Sequence, residues 1–227
     1  MNTTKNRFDA RKMVLLAMFC ALAYVCQFVF RIKISFLTFD AKDAVMAVGA
    51  MIFGPIAGLA MSLIVAFLEF ITISDTGIYG FIMNFISSAS FVAVSALVYK
   101  HKRTLTGAIA GLCTGCAAMT VVMLAFNLVI TPLYIPSFTT SDVAALIPTL
   151  LLPFNLTKAL LNAGLVLILY RPVTIALRKA HVLQASGASS MTFDKKSLAV
   201  LLGGLVLVAV CVIVFLVLMN GTFQLHK

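Results

Sequence analysis

The sequence predicts an all-α polytopic membrane protein of about seven spans. Three observations carry that reading. First, 62% of the 227 residues are hydrophobic and only 11% are charged, with a mean hydropathy of +1.11. A soluble domain is about 45–50% apolar and about 25% charged, so a water-soluble globular protein, a disordered chain and a nucleic-acid-binding domain are excluded. Second, apolar runs recur along the whole chain, most of them near the ~20 residues that a membrane helix needs. Third, the net charge of +10 is concentrated between alternate runs. Six or seven such helices use up the chain, so any ATPase would have to be a separate polypeptide.

The basic start, MNTTKNRFDARK, leads into a first apolar segment from about Met13 to Phe30. That segment is long and has no clear small-residue cleavage site, so it reads as a span and not as a cleaved signal. A polar-aromatic stretch, Arg31 to Asp43, follows. The second segment, Ala44 to Phe53, is short, rising only about 15 Å as a helix, and stops at Gly54-Pro55. The third runs from Ile56 to about Ile73 and contains Glu69. A turn cluster, Ser74-Asp75-Thr76-Gly77, precedes the fourth segment, Ile78 to Tyr99, with Asn84. After the basic run Lys100-His101-Lys102-Arg103 comes the fifth, Leu105 to about Thr131, with Asn127 and a stop at Pro132. A proline-containing link with Asp142 leads to the sixth, Leu151 to about Tyr170, with Asn155, Lys158 and Asn162. A second basic region and a Ser/Gly/Ala linker lead to Leu198–Met219, which has no charge and is the clearest span. The expected division is a six-helix membrane domain over 1–180, a cytoplasmic linker over 181–197, an additional transmembrane helix over 198–219 and a tail over 220–227.

Basic residues in cytoplasmic loops set orientation. Twelve of the 17 (Lys5, Arg7, Arg11, Lys12, Lys100, Lys102, Arg103, Arg171, Arg178, Lys179, Lys195, Lys196) fall in the N-terminal tail or in alternate loops. The expectation is a plasma-membrane protein with a cytoplasmic N-terminus and, after seven spans, an external C-terminus. Parity requires the short second segment to cross. The opposite side then holds Arg31, Lys33, Asp40, Asp43, Asp75 and Asp142.

With that orientation Asn127, Asn155, Lys158, Asn84, Glu69 and the aromatic loop Ser35–Asp40 share one layer near the outer face. Asn155, Lys158 and Asn162 are spaced i, i+3, i+7, which puts them on one helix face. A lysine at mid-span costs about 2.5–3.5 kcal/mol in lipid, so these groups should face the bundle interior or water. Taken singly, Lys158 could snorkel to headgroups and the asparagines could join helices. Their convergence favours a solute pocket open to the outside. Glu69 is the one span carboxylate on this reading and is expected to pair with Lys158. All three histidines, His101, His181 and His226, lie in loops or the tail. The scarcity of intramembrane titratable groups disfavours an ion-coupled carrier. No phosphate-binding glycine loop, nucleophile set or metal-ligand spacing is present, so enzyme activity and a metal site are not expected.

The cysteines, Cys20, Cys26, Cys113, Cys116 and Cys211, all sit in apolar runs and read as packing residues, including the Cys113-Thr-Gly-Cys116 pair. Small residues align at Gly107, Gly111 and Gly115, where internal packing is the expectation. They also align at Ala17 and Ala21, where a partner subunit is a live alternative.

Several stretches together carry a family resemblance. They are Lys12-Met-Val-Leu-Leu-Ala-Met-Phe-Cys-Ala-Leu-Ala23, Ile34-Ser-Phe-Leu-Thr-Phe-Asp40 leading to Asp43, Phe53-Gly-Pro-Ile-Ala-Gly58, Gly80, Asn127-Leu-Val-Ile-Thr-Pro-Leu-Tyr134 and Leu152-Pro-Phe-Asn-Leu-Thr-Lys158. Over about residues 10 to 180 the chain resembles the substrate-binding S components of energy-coupling factor (ECF) vitamin transporters, most closely the riboflavin-specific type. The resemblance implies a six-helix bundle with a pocket near the outer face, capped by the first loop. It implies no cofactor, with riboflavin as the transported ligand. Leu37, Thr38, Gly80, Asn127, Asn155 and Lys158 would contact it. Phe36, Phe39, Asp40, Met83, Asn84 and Asn162 are weaker candidates. Ala17 and Ala21 would meet a membrane-embedded coupling subunit, and two ATPase subunits would supply energy. The seventh span departs from the six-helix pattern. Rival readings are an S component for another vitamin or for flavin mononucleotide, a self-sufficient secondary carrier, and a membrane scaffold with no ligand.

Overall fold

A computed structural model describes residues 10–34, 36–179 and 195–218. The tail residues Lys5 and Arg7, Ser35, most of the expected linker with His181, and the C-terminal tail with His226 lie outside the described residues. The chain folds as α1 (Ala10–Val29), a hairpin of β1 (Ile32–Ile34) and β2 (Leu37–Phe39), α2 (Lys42–Phe53), α3 (Pro55–Thr72), α4 (Gly77–His101), α5 (Leu105–Tyr134), α6 (Thr140–Leu146), a π turn (Ile147–Leu151), α7 (Leu152–Lys179) and α8 (Lys195–Leu218). Five stretches are long and apolar enough to cross a membrane: α1, α3, α4, α5 and the α6–α7 stretch. With α8 this is a multi-pass helical membrane protein.

The short second segment is the centre of the bundle. At 12 residues α2 rises about 18 Å, well under the ~30 Å hydrocarbon core. Every residue from Lys42 to Met51 is buried, because α1, α3, α4 and α7 pack around it. A helix that is apolar on all faces belongs inside protein. Its side chains Ala44, Met46, Val48 and Ala50 seed the main core together with Phe19, Met61, Val65, Phe91 and Met119. The chain reverses into α3 at Gly54, whose φ of 103° is left-handed backbone that side-chain-bearing residues resist. Pro55 then starts α3 where its missing N–H costs nothing.

Contacts between helix ends fix an antiparallel weave. At the hairpin end, Tyr24 of α1 donates to Thr72 of α3 (2.9 Å), and Tyr79 of α4 stacks on Tyr134 of α5. At the other end, the hydroxyls of Tyr99 on α4 and Tyr170 on α7 share a hydrogen bond. The Gly107–Gly111–Gly115 stripe packs within the chain. A Cβ on Gly111 would sit 2.6 Å from the Ser95 carbonyl of α4, so α4 and α5 approach backbone to backbone. The proline-containing link before α7 is largely helical. Thr139 and Asp142 form a capping box that opens α6, a local signal that hydropathy overlooks.

α8 begins at Lys195, within what the sequence suggested was linker, and packs along α7. The crossing point is Gly164 against Gly204: a Cβ on Gly204 would lie 3.0 Å from the Gly164 carbonyl, while one on Gly203 would meet nothing within 4 Å. Gly204→Leu should therefore pry α8 from α7 and lower the melting temperature in detergent, at a cost of about 1–3 kcal/mol. Gly203→Leu, which brings the same gain in helix propensity, should match or exceed the parent. Equal melting temperatures for the two variants would refute the crossing.

Candidate functional site

At the hairpin end the helices enclose a cavity of about 240 Å³. Its walls come from the hairpin, the ends of α1, α3 and α5, and the first turns of α4 and α7. The tip of the hairpin is pinned across the mouth by Phe36 against Phe138 (ring centroids 5.9 Å apart). Hairpin register sets which residues face inward: Thr38 pairs with Lys33 and Leu37 with Ile34, which leaves Leu37 buried on the cavity side.

Nine of the residues singled out by sequence line this cavity: Phe36, Leu37, Thr38, Gly80, Met83, Asn84, Asn127, Asn155 and Lys158. Asn127 and Asn155 are both buried and both turn an amide N–H back onto the carbonyl four residues earlier (Met123 at 2.7 Å, Leu151 at 2.8 Å). Thr131 donates to the Asn127 carbonyl at 3.0 Å. These bonds lock the amide planes and leave a second N–H on each, together with acceptor capacity on each oxygen. Lys158 Nζ donates to the Thr38 carbonyl (3.1 Å) and to Asp40 Oδ2 (2.9 Å), so it clamps the hairpin to α7. Gly80 lies where a Cβ would collide with Thr76 of the preceding turn.

Three candidates do not line the cavity. Phe39, on the same strand face as Leu37, packs edge-on against the lining residue Phe154 and does not itself reach the cavity. Asp40 lies behind Lys158. Asn162, one turn deeper on α7, accepts from Ala44 N (2.8 Å) and donates to the carbonyls of Asp40 (3.1 Å) and Lys158 (3.0 Å). It satisfies an otherwise orphaned N–H at the start of α2.

The structure corrects two expectations about charge. Glu69 pairs with Lys42 at 2.7 Å and not with Lys158. Nor is Glu69 the single carboxylate within the bundle: Asp40 and Asp43 are also buried, alongside Lys42. Asp40 Oδ2 lies 3.8 Å from Lys42 Nζ as well, and Ser88 of α4 donates to Asp43. Sequence reasoning set Asp40 and Asp43 among the residues of the outer side because they precede the apolar run. It also passed over lining residues Arg31, Ser74, Thr76, Ser87, Met123 and Tyr134. The Ser74-Asp75-Thr76-Gly77 cluster was visible as a turn, and its position one turn from Gly80 was the available signal. Ala17 and Ala21 are exposed on α1, away from the cavity. Among the described residues no group of His, Cys, Asp and Glu is arranged to hold a metal ion.

Removing one member of a buried ion pair costs about 3–5 kcal/mol, while replacing both with apolar groups is often nearly neutral. Lys42→Met and Glu69→Leu should each reduce the yield and melting temperature of folded protein, and the double variant should recover most of the loss. The exchange Lys158→Glu with Glu69→Lys should not fold. A folded Lys158→Glu, Glu69→Lys variant would reinstate the Glu69–Lys158 pair.

Comparison with known proteins agrees with this architecture. The model of the family "ECF transporter, substrate-specific component" matches residues 11–170, so α8 lies beyond it. The chain is 29% identical to the riboflavin transporter RibU of Staphylococcus aureus (strain TCH60), over 77% of this chain and 96% of that protein. It is also 29% identical to the riboflavin transporter FmnP of Bacillus subtilis (strain 168), over 76% and 98% respectively. A solved structure, described as the S component of a bacterial ECF transporter, superposes with a TM-score of 0.63 at 28% identity, covering 74% of this chain and 98% of that one. With its buried α2, its hairpin-capped cavity and this match over most of its length, the chain belongs to the substrate-specific components of ECF transporters.

Proposed function

We propose that this chain captures riboflavin at the outer face of the plasma membrane and delivers it inward with a separate coupling subunit and two ATPase subunits. The carrying observation is the donor and acceptor pattern that Asn127, Asn155 and Lys158 present to one cavity under an apolar hairpin. The pyrimidine edge of an isoalloxazine reads acceptor, donor, acceptor. Its complement is donor, acceptor, donor, which a lysine N–H and the spare N–H and oxygen of two asparagines supply. Phe36, Leu37, Met83, Met123 and Phe154 offer the apolar surface a flat ring needs. The two curated relatives, both named riboflavin transporters, support the same ligand. The basic loops lie at the opposite end of the bundle from the cavity, which supports an outward-facing cavity. The exposed Ala17 and Ala21 face of α1 is the surface for the coupling subunit, since small residues allow close backbone approach. The chain itself supplies no ATPase. The buried acids correct the expected scarcity of titratable groups, so the case against a self-sufficient carrier rests on family membership.

Protein purified in detergent should carry flavin absorbance, or should quench riboflavin fluorescence on addition. A colourless preparation that leaves the fluorescence unchanged would exclude riboflavin. Asn155→Ala removes one neutral hydrogen-bonding group and should weaken binding up to about tenfold. Lys158 is better tested as Lys158→Met with Asp40→Asn, because Lys158→Ala alone strands a buried carboxylate. Ala17→Trp should leave riboflavin affinity unchanged and abolish uptake in cells that depend on this chain. Normal uptake would remove α1 from the coupling interface.

A further inference from the structure

We propose that the end of the bundle opposite the cavity is a docking surface for anionic phospholipid headgroups, centred on Lys100, Lys102 and Arg103 of the α4–α5 loop and continued by the basic ends of α7 and α8. In the orientation proposed above these are headgroups of the inner leaflet. The charge is one-sided. Asp40, Asp43 and Glu69 are buried beside the hairpin, and Asp75 and Asp142 lie at the cavity end. Asp9 and Asp194 lie outside the described residues. Among the described residues, therefore, no carboxylate stands at the opposite end. The positive-inside bias accounts for the sign of each loop. It does not account for their gathering, which the fold supplies. The hydroxyl bond between Tyr99 and Tyr170 sets Lys100 and Arg171, the next residue of each helix, on either side of one seam. α8 runs antiparallel to α7, since Gly164 meets Val208 while Gly204 meets Ile168. Lys195 and Lys196, about 12–14 Å back along α8 from Gly204, therefore come level with the last turns of α7, which carry Arg178 and Lys179.

Two features fit the surface to an amphiphile. One is its depth. At 25 and 30 residues, α4 and α5 rise about 38 Å and about 45 Å, more than the ~30 Å hydrocarbon core, so the loop that joins them lies at headgroup level. Lys100, His101, Lys102 and Arg103 are all exposed. Thr104 N donates to the Lys102 carbonyl at 2.8 Å, and that carbonyl lies so close to Gly107 that a Cβ there would collide with it. The cations are thus presented from a folded turn and not from a loose loop. The other feature is the wall beneath. Leu97 on α4, and Leu105 and Ile109 on α5, are exposed within two turns of the loop. They give acyl chains an apolar surface next to the cations. A soluble anion uses only the charge, whereas an anionic phospholipid uses both. The first turn of α5 has no acid and follows Lys102 and Arg103, the reverse of what the helix dipole favours. A phosphate supplies the missing negative charge.

Each Lys or Arg held near an anionic surface strengthens binding roughly fivefold. Purified full-length protein, stripped of lipid in neutral detergent, is titrated with phosphatidylglycerol or with phosphatidylcholine of the same acyl chains. Bound lipid is read by native mass spectrometry. Phosphatidylglycerol should bind at least about tenfold more tightly, and the preference should fall as salt is raised. Lys100→Gln combined with Lys102→Gln and Arg103→Gln should lose most of that preference. Phosphatidylcholine binding and the melting temperature in neutral detergent should stay unchanged. Lys195→Gln with Lys196→Gln should lose part of the preference. Riboflavin affinity should be the same in both, since none of these residues lines the cavity. An absent preference in the parent, one indifferent to salt, or one that survives the triple variant would overturn the surface. So would displacement of the lipid by inorganic phosphate at comparable concentration, which would make it a soluble-anion site. Lost uptake in the triple variant with its lipid preference intact would assign the loop to an acidic face of a partner subunit instead. The salt titration uses the parent alone, so it decides even where a variant fails to fold. A parent that binds no flavin but keeps the lipid preference would remove the riboflavin reading and leave this one standing.

Discussion

The fold depends on a polar cluster buried where the chain turns from the hairpin into α2. Asp40, Lys42, Asp43, Glu69, Lys158 and Asn162 are all buried, and each reaches a different part of the bundle. Lys42 ties α2 to α3 through Glu69, Asp43 ties it to α4 through Ser88, and Lys158 and Asn162 tie the hairpin exit and the first turn of α2 to α7. Charges this deep are tolerable only as a mutually compensating set, since each alone would cost several kcal/mol. Coulombic attraction inside the bundle is also screened less than at a surface. The cluster is therefore a registration device: α2 has one depth and one rotation at which all these bonds form. A short helix with apolar surface all round needs that, because hydrophobic burial alone does not distinguish one rotation from another.

The same cluster builds the cavity. Lys158 belongs to both, with one N–H on the hairpin carbonyl of Thr38, another on Asp40, and its head on the cavity wall. Glu69 likewise faces the cavity while holding Lys42. The chemistry of this wall is thus coupled to the seating of the hairpin that roofs it. Two of the three N–H donors of Lys158 hold Thr38 and Asp40, which leaves the third for an acceptor in the cavity.

Much of this was legible in one dimension. The long spans α1, α3, α4 and α5 follow from hydropathy and breakers. The convergence of Asn127, Asn155 and Lys158 follows from counting polar positions along antiparallel spans. What was not legible was partnership. Glu69 and Lys158 look like natural partners because they are the two charges inside long apolar runs. Lys42 looks like a loop residue because it precedes a run too short to be read as the centre of the bundle. Hydropathy scores a residue by its sequence neighbours, and Lys42 owes its burial to α1, α3, α4 and α7. Arg31 and Ser74 escaped for the same reason: each ends or follows a span, where polar residues need no explanation until the cavity is seen behind them. The capping box at Thr139 was readable, and was hidden only by attention to apolar runs.

Helical geometry explains why α8 can pack on the bundle without disturbing the cavity. At about 100° per residue, Asn155, Lys158 and Asn162 fall within roughly 60° of one another around α7, whereas Gly164 lies about half a turn from Asn155. Gly164 is where Gly204 of α8 makes its close approach. α7 therefore divides its surface, turning polar groups towards α2 and the cavity and its glycine towards α8. The Ala17 and Ala21 face of α1 remains exposed, and α1 packs on α2 and α3, whereas α8 packs on α7. The extra helix thus covers a surface that neither the cavity nor the small-residue face of α1 uses. The rest of the bundle keeps its cavity wall and its open α1 face, and α8 is an addition on the back of α7.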